Sequence, residues 1–280
     1  MLWEEALREL AAHKWTADEL RDVLGSQRVA VTGVLAAAWY VLVTEACADL
    51  VVGLTEPLDP STVRMLLSER RLAEYLIRLP VRAGDTVIVP AGTLHAIGSG
   101  ILLYEIQEQS DITYRFYDWG RTDSQGRSRP LHIEEGLTVL RPERRALRTQ
   151  PLALDAWRTI LTACRYFLLE RWEVDGERHL VRRPAESPHL LSCIAGSVTI
   201  ATTDAALELT VGRTAPLPAS LRKIRLGGRG TLLAATVPDL WRDVVVPLRA
   251  AGYPDEAIAR LGGDTSDLAQ ALSRGADSEC

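Results

Sequence analysis

The sequence predicts a mainly β protein made of two β-barrels or jelly rolls, with short helices inserted and at both ends. Three observations point there. Short runs rich in β-branched and aromatic residues recur between Gly and Pro turns. They form two successive blocks, and the blocks share an echo: residues 81–91 (VRAGDTVIVPA) resemble residues 209–219 (LTVGRTAPLPA), each a glycine turn, a strand and a Pro-Ala.

The elements follow in order. Residues 1–33 read as a helical N-terminal segment, with Leu2, Leu7, Leu10 and Ala11 at helical spacing and a Thr16–Glu19 capping box. The first β block spans 34–145. Strands are expected at 37–43, 49–53, 86–89, 101–107 and 113–117, with short helices at 59–67, 73–77 and 131–140. Residues 92–95 read as a loop after a strand, and 120–130 as a polar loop. The second, smaller block spans 146–239, with turns expected at 175–176, 195–196, 211–212 and 227–230. Residues 240–280 read as a helical tail.

Composition bounds the function. The 280 residues carry a net charge of -5, which offers no general attraction to nucleic acid or anionic membranes. No apolar run is long enough to span a bilayer and no signal peptide is legible, so the expected compartment is the cytoplasm. Cys47, Cys164, Cys193 and Cys280 are scattered and read as reduced, mostly buried thiols. Lys14 and Lys223 are the only lysines, which leaves few candidate catalytic amines.

Chemistry concentrates in residues 81–121. His95 follows a strand, where a turn brings an imidazole to the mouth of a barrel. Glu105, Gln107 and Gln109 alternate along one strand and share a face, and polar side chains inside a small barrel are costly unless they bind something. Arg115, between Tyr114 and Phe116, is a candidate anion partner. The plainer readings stand beside these: a structural His95, a Glu105–Arg115 ion pair that fixes the barrel, solvated Arg121, Arg127 and Arg129, and a core Trp119.

The run PAGTLHAIGSGILLYEIQEQSDITYRFYDWGR, continued by RPLHIEEGL, resembles the signature of type I mannose-6-phosphate isomerases, which are duplicated cupins. The resemblance implies a metal-assisted interconversion of mannose 6-phosphate and fructose 6-phosphate through a cis-enediol, and with it zinc and a role in carbohydrate metabolism. It gives His95 to the metal, Arg115 and Glu105 to catalysis, and Gln107 and Tyr114 to the substrate. It implies a sugar phosphate as the partner and says nothing of oligomeric state.

The family's Lys-x-Glu before Trp39-Tyr40 is replaced by Leu35 and Ala37, and its Gln-x-His segment is missing; Ala12-His13 is a poor remnant. Two explanations stand. Either catalysis has been lost, or the reading frame begins late or is shifted, so that residues 1–37 are not the family's own. Two functions therefore remain open: an isomerase, or a degenerate cupin that binds sugar phosphate or acts as a scaffold without turnover. The missing carboxylate at position 37 is what separates them.

Overall fold

A computed structural model describes residues 29–31, 36–108, 113–117, 125–127, 130–183, 186–203 and 205–278. They fall into two compact units, one ending at Thr149 and the other starting at Gln150. The helical reading of residues 1–28 lies outside the described residues. Its continuation to residue 33 is corrected: Val29–Val31 is a strand, β1, because it finds hydrogen-bonding neighbours on both sides.

In the first unit β1 is followed by β2 (Ala37–Thr44), β3 (Asp49–Leu54), α1 (Pro60–Ser68), a 3-10 turn (Leu72–Tyr75), β4 (Leu76–Pro80) and β5 (Thr86–Val89). Then come β6 (Leu94–Ile97), β7 (Ile101–Gln107), β8 (Tyr114–Tyr117), α2 (Ile133–Val139) and β9 (Leu147–Arg148). Two antiparallel sheets result, in the orders β4-β3-β6-β1-β8 and β7-β2-β5-β9. Trp39, Val41, Leu50, Val52, Val87, Val89 and Ile101 pack in the space between the sheets. Val51, Leu94, Ala96 and Phe116, on the other face of the five-stranded sheet, pack against Val63 and Leu66 of α1 and Leu137 of α2.

Local chemistry explains the helices. The Asp59 side chain accepts from the backbone N–H groups of Ser61 and Thr62, closing the start of α1, and Pro60 takes the first helical position, where no N–H is needed. Gly136 lets α2 lie directly on β8: a Cβ there would stand 2.6 Å from the Phe116 ring. Gly92 and Thr93 form the expected turn, but Leu94 and His95 already belong to a strand. A four-residue β6 carries too little local signal to be read, and its neighbours β1 and β3 make it.

The second unit runs through β10 (Leu152–Ala153), β11 (Arg158–Ala163), β12 (Leu168–Asp175), β13 (Arg178–Val181), β14 (His189–Ala201), β15 (Ala206–Thr210), β16 (Thr214–Leu217) and β17 (Lys223–Thr236). These form one eight-stranded sheet, in which β10-β11-β12-β17-β14-β15 are successive neighbours, β13 pairs with β17 and β16 with β14. The turns expected at 195–196 and 227–230 lie inside β14 and β17, two long strands paired along most of their length. Glycine is needed there because the backbones touch; a Cβ on Gly196, at φ +66°, would lie 2.2 Å from the Arg229 carbonyl oxygen.

A π-helical turn (Trp241–Val245), α3 (Val246–Ala250), α4 (Asp255–Arg260) and α5 (Asp267–Ser278) complete the unit. Val244, Val245, Leu248, Ile258, Leu261 and Leu268 pack on Leu152, Ile160 and Leu168, so the tail is part of this unit's core. The sheets of both units are open jelly rolls among the described residues.

The echo in the sequence is a structural repeat. Val41 N–H donates to the Asp85 carbonyl at 2.9 Å and Gly84 N–H to the Val41 carbonyl at 2.8 Å. In the second unit Cys193 N–H donates to Arg213 and Gly212 N–H to Cys193, both at 2.9 Å. A bulge follows each, between Val41 and Val43 on β2 and between Cys193 and Ala195 on β14. Val41 and Cys193 are therefore equivalent, as are Trp39 and Leu191, and Ala37 and His189.

Candidate functional site

The site is built on the first unit. On β6, Leu94 and Ala96 enter the packing beneath the helices, so the alternate residue His95 faces the space between the sheets. Its Nδ1 lies 2.9 Å from the Thr93 carbonyl oxygen. A carbonyl only accepts, so Nδ1 carries the proton and Nε2 keeps its lone pair. Burial pushes the imidazole below its ordinary pKa, against a smaller opposing effect of the Thr93 carbonyl, and His95 is neutral at pH 7.

Register brings Arg115 to the same face. His95 pairs with Ala30 and Ala30 with Arg115, which puts the His95 and Arg115 side chains on one side of the sheet, about 10 Å apart across β1. The Arg115 guanidinium donates to the Pro130 carbonyl at 3.3 Å, not to Glu105. Its backbone is pinned on the other side, its carbonyl accepting from His132 N–H at 2.9 Å. Tyr114 alternates with Arg115 and points the other way, its ring 6.3 Å from that of His132 just before α2.

Glu105 reaches the same space from the opposite sheet. Ile101 and Leu103 pack inward on β7, and Glu105 and Gln107 continue that face to its exposed end. Glu105 pairs with Trp39, and the indole Nε1–H donates to Glu105 Oε1 at 2.8 Å. Trp39 is 1% exposed, and its ring and that of His95 form a T-shaped contact with centroids 5.4 Å apart. His95, Glu105 and Arg115 thus face one space, and Gln107 lies one rung beyond Glu105.

Trp39 was not expected as a site residue. Its only signal was its place in a recognisable motif, since its partner lies 66 residues away. Leu35, His13, Gln109, Trp119, Arg121 and Arg129 lie outside the described residues. Ala37, where the resemblance expects a metal-binding Glu, is buried among apolar neighbours. Among the described residues no group of three His, Cys, Asp or Glu converges, and the described residues therefore do not fit a metal site.

The second unit holds buried ionisable groups that sequence reasoning missed. Glu170 is 5% exposed and accepts from Trp172 Nε1–H at 3.1 Å. Burial pushes its carboxyl up to about 7, with Arg158 and the indole opposing. His189, its ring 6.0 Å from that of Trp172, is pushed down to about 4 by burial and by Arg182. Cys164 and Cys193 are buried and outside any disulfide, whereas Cys47 is exposed.

Two jelly-roll units repeating one strand arrangement, with a polar constellation inside the first, define a duplicated cupin. The family model of the mannose-6-phosphate isomerase cupin domain matches residues 158–237. Mannose-6-phosphate isomerase of Streptococcus mutans is 34% identical over 200 residues, covering 70% of this chain and 62% of that protein. Mannose-6-phosphate isomerase ManA of Bacillus subtilis is 32% identical over 195 residues, covering 68% of this chain and 60% of its own length. The crystal structure of the mannose 6-phosphate isomerase from Bacillus subtilis superposes with a TM-score of 0.68 at 25% identity, covering 76% of this chain and 71% of that one. The chain is a homologue of the mannose-6-phosphate isomerases, and it spans about three fifths of the length of the curated relatives it matches. No helix among the described residues is long and apolar enough to cross a membrane.

Proposed function

We propose that the chain is an aldose–ketose isomerase that interconverts mannose 6-phosphate and fructose 6-phosphate in the space between the sheets of the first unit. The observation that carries this is the shared rung of His95 and Arg115, with Glu105 and Gln107 facing them from the other sheet. An isomerisation of this kind takes the proton from C2, passes through a cis-enediol and returns the proton to C1, while a hydroxyl proton moves from O2 to O1. Glu105 is the carboxylate for the carbon-bound proton, through Oε2, the oxygen Trp39 leaves free. Neutral His95 offers Nε2 to the hydroxyl proton. Arg115 meets the negative charge that grows on the enediol oxygens, and Gln107 orients hydroxyl groups.

Zinc has no step in this scheme, because the described residues that face this space bring one imidazole, that of His95, and position 37 is an alanine. Protein purified without added metal is expected to hold well under one zinc per chain by elemental analysis. Ala37 also favours a second reading, a cupin that binds the sugar phosphate without turning it over.

A coupled assay with mannose 6-phosphate decides. Product is expected, falling about 10²–10⁴-fold in Glu105→Gln and further in Arg115→Ala. No product, with calorimetric binding that Arg115→Ala abolishes, would leave the second reading. Neither turnover nor binding overturns both.

A further inference from the structure

We propose that Trp39 is a positioning residue of this site, holding the Glu105 carboxylate and the His95 imidazole in one fixed relation. The inference rests on the reading of the first unit as a sugar-phosphate site. Trp39 touches both groups: its Nε1–H binds Glu105 Oε1 at 2.8 Å, and its ring packs against His95 at 5.4 Å with the planes 63° apart. Glu105 is exposed and would otherwise sample many rotamers; one anchored oxygen restricts them. Nδ1 of His95 is fixed by Thr93, so the indole contact and that carbonyl together set the plane of the ring.

The second unit serves as an internal control. There the equivalent rung is Leu191 paired with Ala234, buried and apolar, on the same strand pair with the same bulge. The backbone therefore forms without an indole and a carboxylate on this rung. A tryptophan would also fill the core without bonding a carboxylate; the bond to an exposed Glu105 adds orientation to the group placed at the proton transfer. Placement of this kind governs rate more than affinity.

Trp39→Phe keeps an aromatic ring in the core, removes the donor and trims the buried ring. The expected result is a KM for mannose 6-phosphate within about threefold of the parent and a kcat lowered about 10²-fold, the cost of misplacing a reacting group. An unchanged kcat would overturn the proposal, and so would a loss confined to KM.

A second measurement needs no turnover. In the parent, Glu105→Gln should shift both the Trp39 indole N–H signal and the His95 ring signals in NMR spectra, although no hydrogen bond joins Glu105 to His95. In the Trp39→Phe background the same substitution should leave the His95 signals unmoved. Unmoved His95 signals in the parent, or equal shifts in both backgrounds, would overturn the proposal. If mannose 6-phosphate is neither bound nor turned over, the functional reading falls, and the NMR comparison still decides whether Trp39 couples the two groups.

Discussion

The two units share a turn, a bulge and a strand pairing, yet they place their polar groups differently. Trp39 and Glu105 occupy the rung that Leu191 and Ala234 occupy in the second unit, and Ala37 and Gln107 the rung held by His189 and Thr236. The repeated backbone thus tolerates polar or apolar residues at either rung, and neither set is required by the fold. What differs is access to water. Glu105 sits at an exposed end, whereas Glu170 is enclosed and would have to carry its charge inside the core. The enclosed arrangement makes stability depend on pH.

The largest effect should come from Glu105→Ala, which copies Ala234 into the first unit. Turnover of mannose 6-phosphate is expected to fall about 10²–10⁴-fold, with stability lowered by about 1–3 kcal/mol because the buried Trp39 Nε1–H loses its acceptor. Chemical denaturation beside the coupled assay checks this. Unfolding of the variant would mean that the rung is structural and the comparison fails.

The pH dependence of the second unit comes next. The folded Glu170 carboxyl lies at about 7 against an ordinary 4.5, so the folded state binds the extra proton between those values. Its stabilisation is complete below pH 4.5 and is lost as pH rises through 7, about 3 kcal/mol in all. The folded His189 imidazole lies at about 4 against an ordinary 6.5, so its contribution has the opposite sign and is lost as pH falls from 6.5 to 4. In the parent the two slopes cancel between about pH 4.5 and 6.5. Glu170→Gln should therefore gain stability relative to the parent as pH rises from 4.5 to 7, and His189→Gln should gain it as pH falls from 6.5 to 4. Urea denaturation across that range measures both differences, and flat differences would remove the pH contrast between the units.

Gly136→Ala should have the smallest effect. Its Cβ would press on the Phe116 ring, and relief by a small shift of α2 is expected to cost about 1–3 kcal/mol. Because the backbone before α2 pins Arg115, weaker binding of mannose 6-phosphate should accompany the lower Tm. A lower Tm with unchanged binding would show that Arg115 keeps its place without that support.

Much of the first unit was legible because its signals are local. Alternation alone put Glu105 and Gln107 on one face, and Gly84 and Pro90 bracketed β5 as expected. Other features needed neighbours. Only hydrogen bonds from β1 and β3 turn residues 94–97 into a strand, and Gly228 and Gly230 read as turn residues although pairing with β14, whose backbone they approach closely, places them inside β17.

By itself the sequence determined the β class, the two-block organisation, the helix cap at Asp59 and the alternation that separates Arg115 from Tyr114, because each depends on residues a few positions apart. The tertiary structure decided which groups meet. Trp39 reaches Glu105 across 66 residues, and His95 shares a rung with Arg115 through β1. Glu170 and His189 owe their shifted protonation to enclosure. Register and burial are properties of the assembled sheets, and desolvation acts only after the chain has closed around the group.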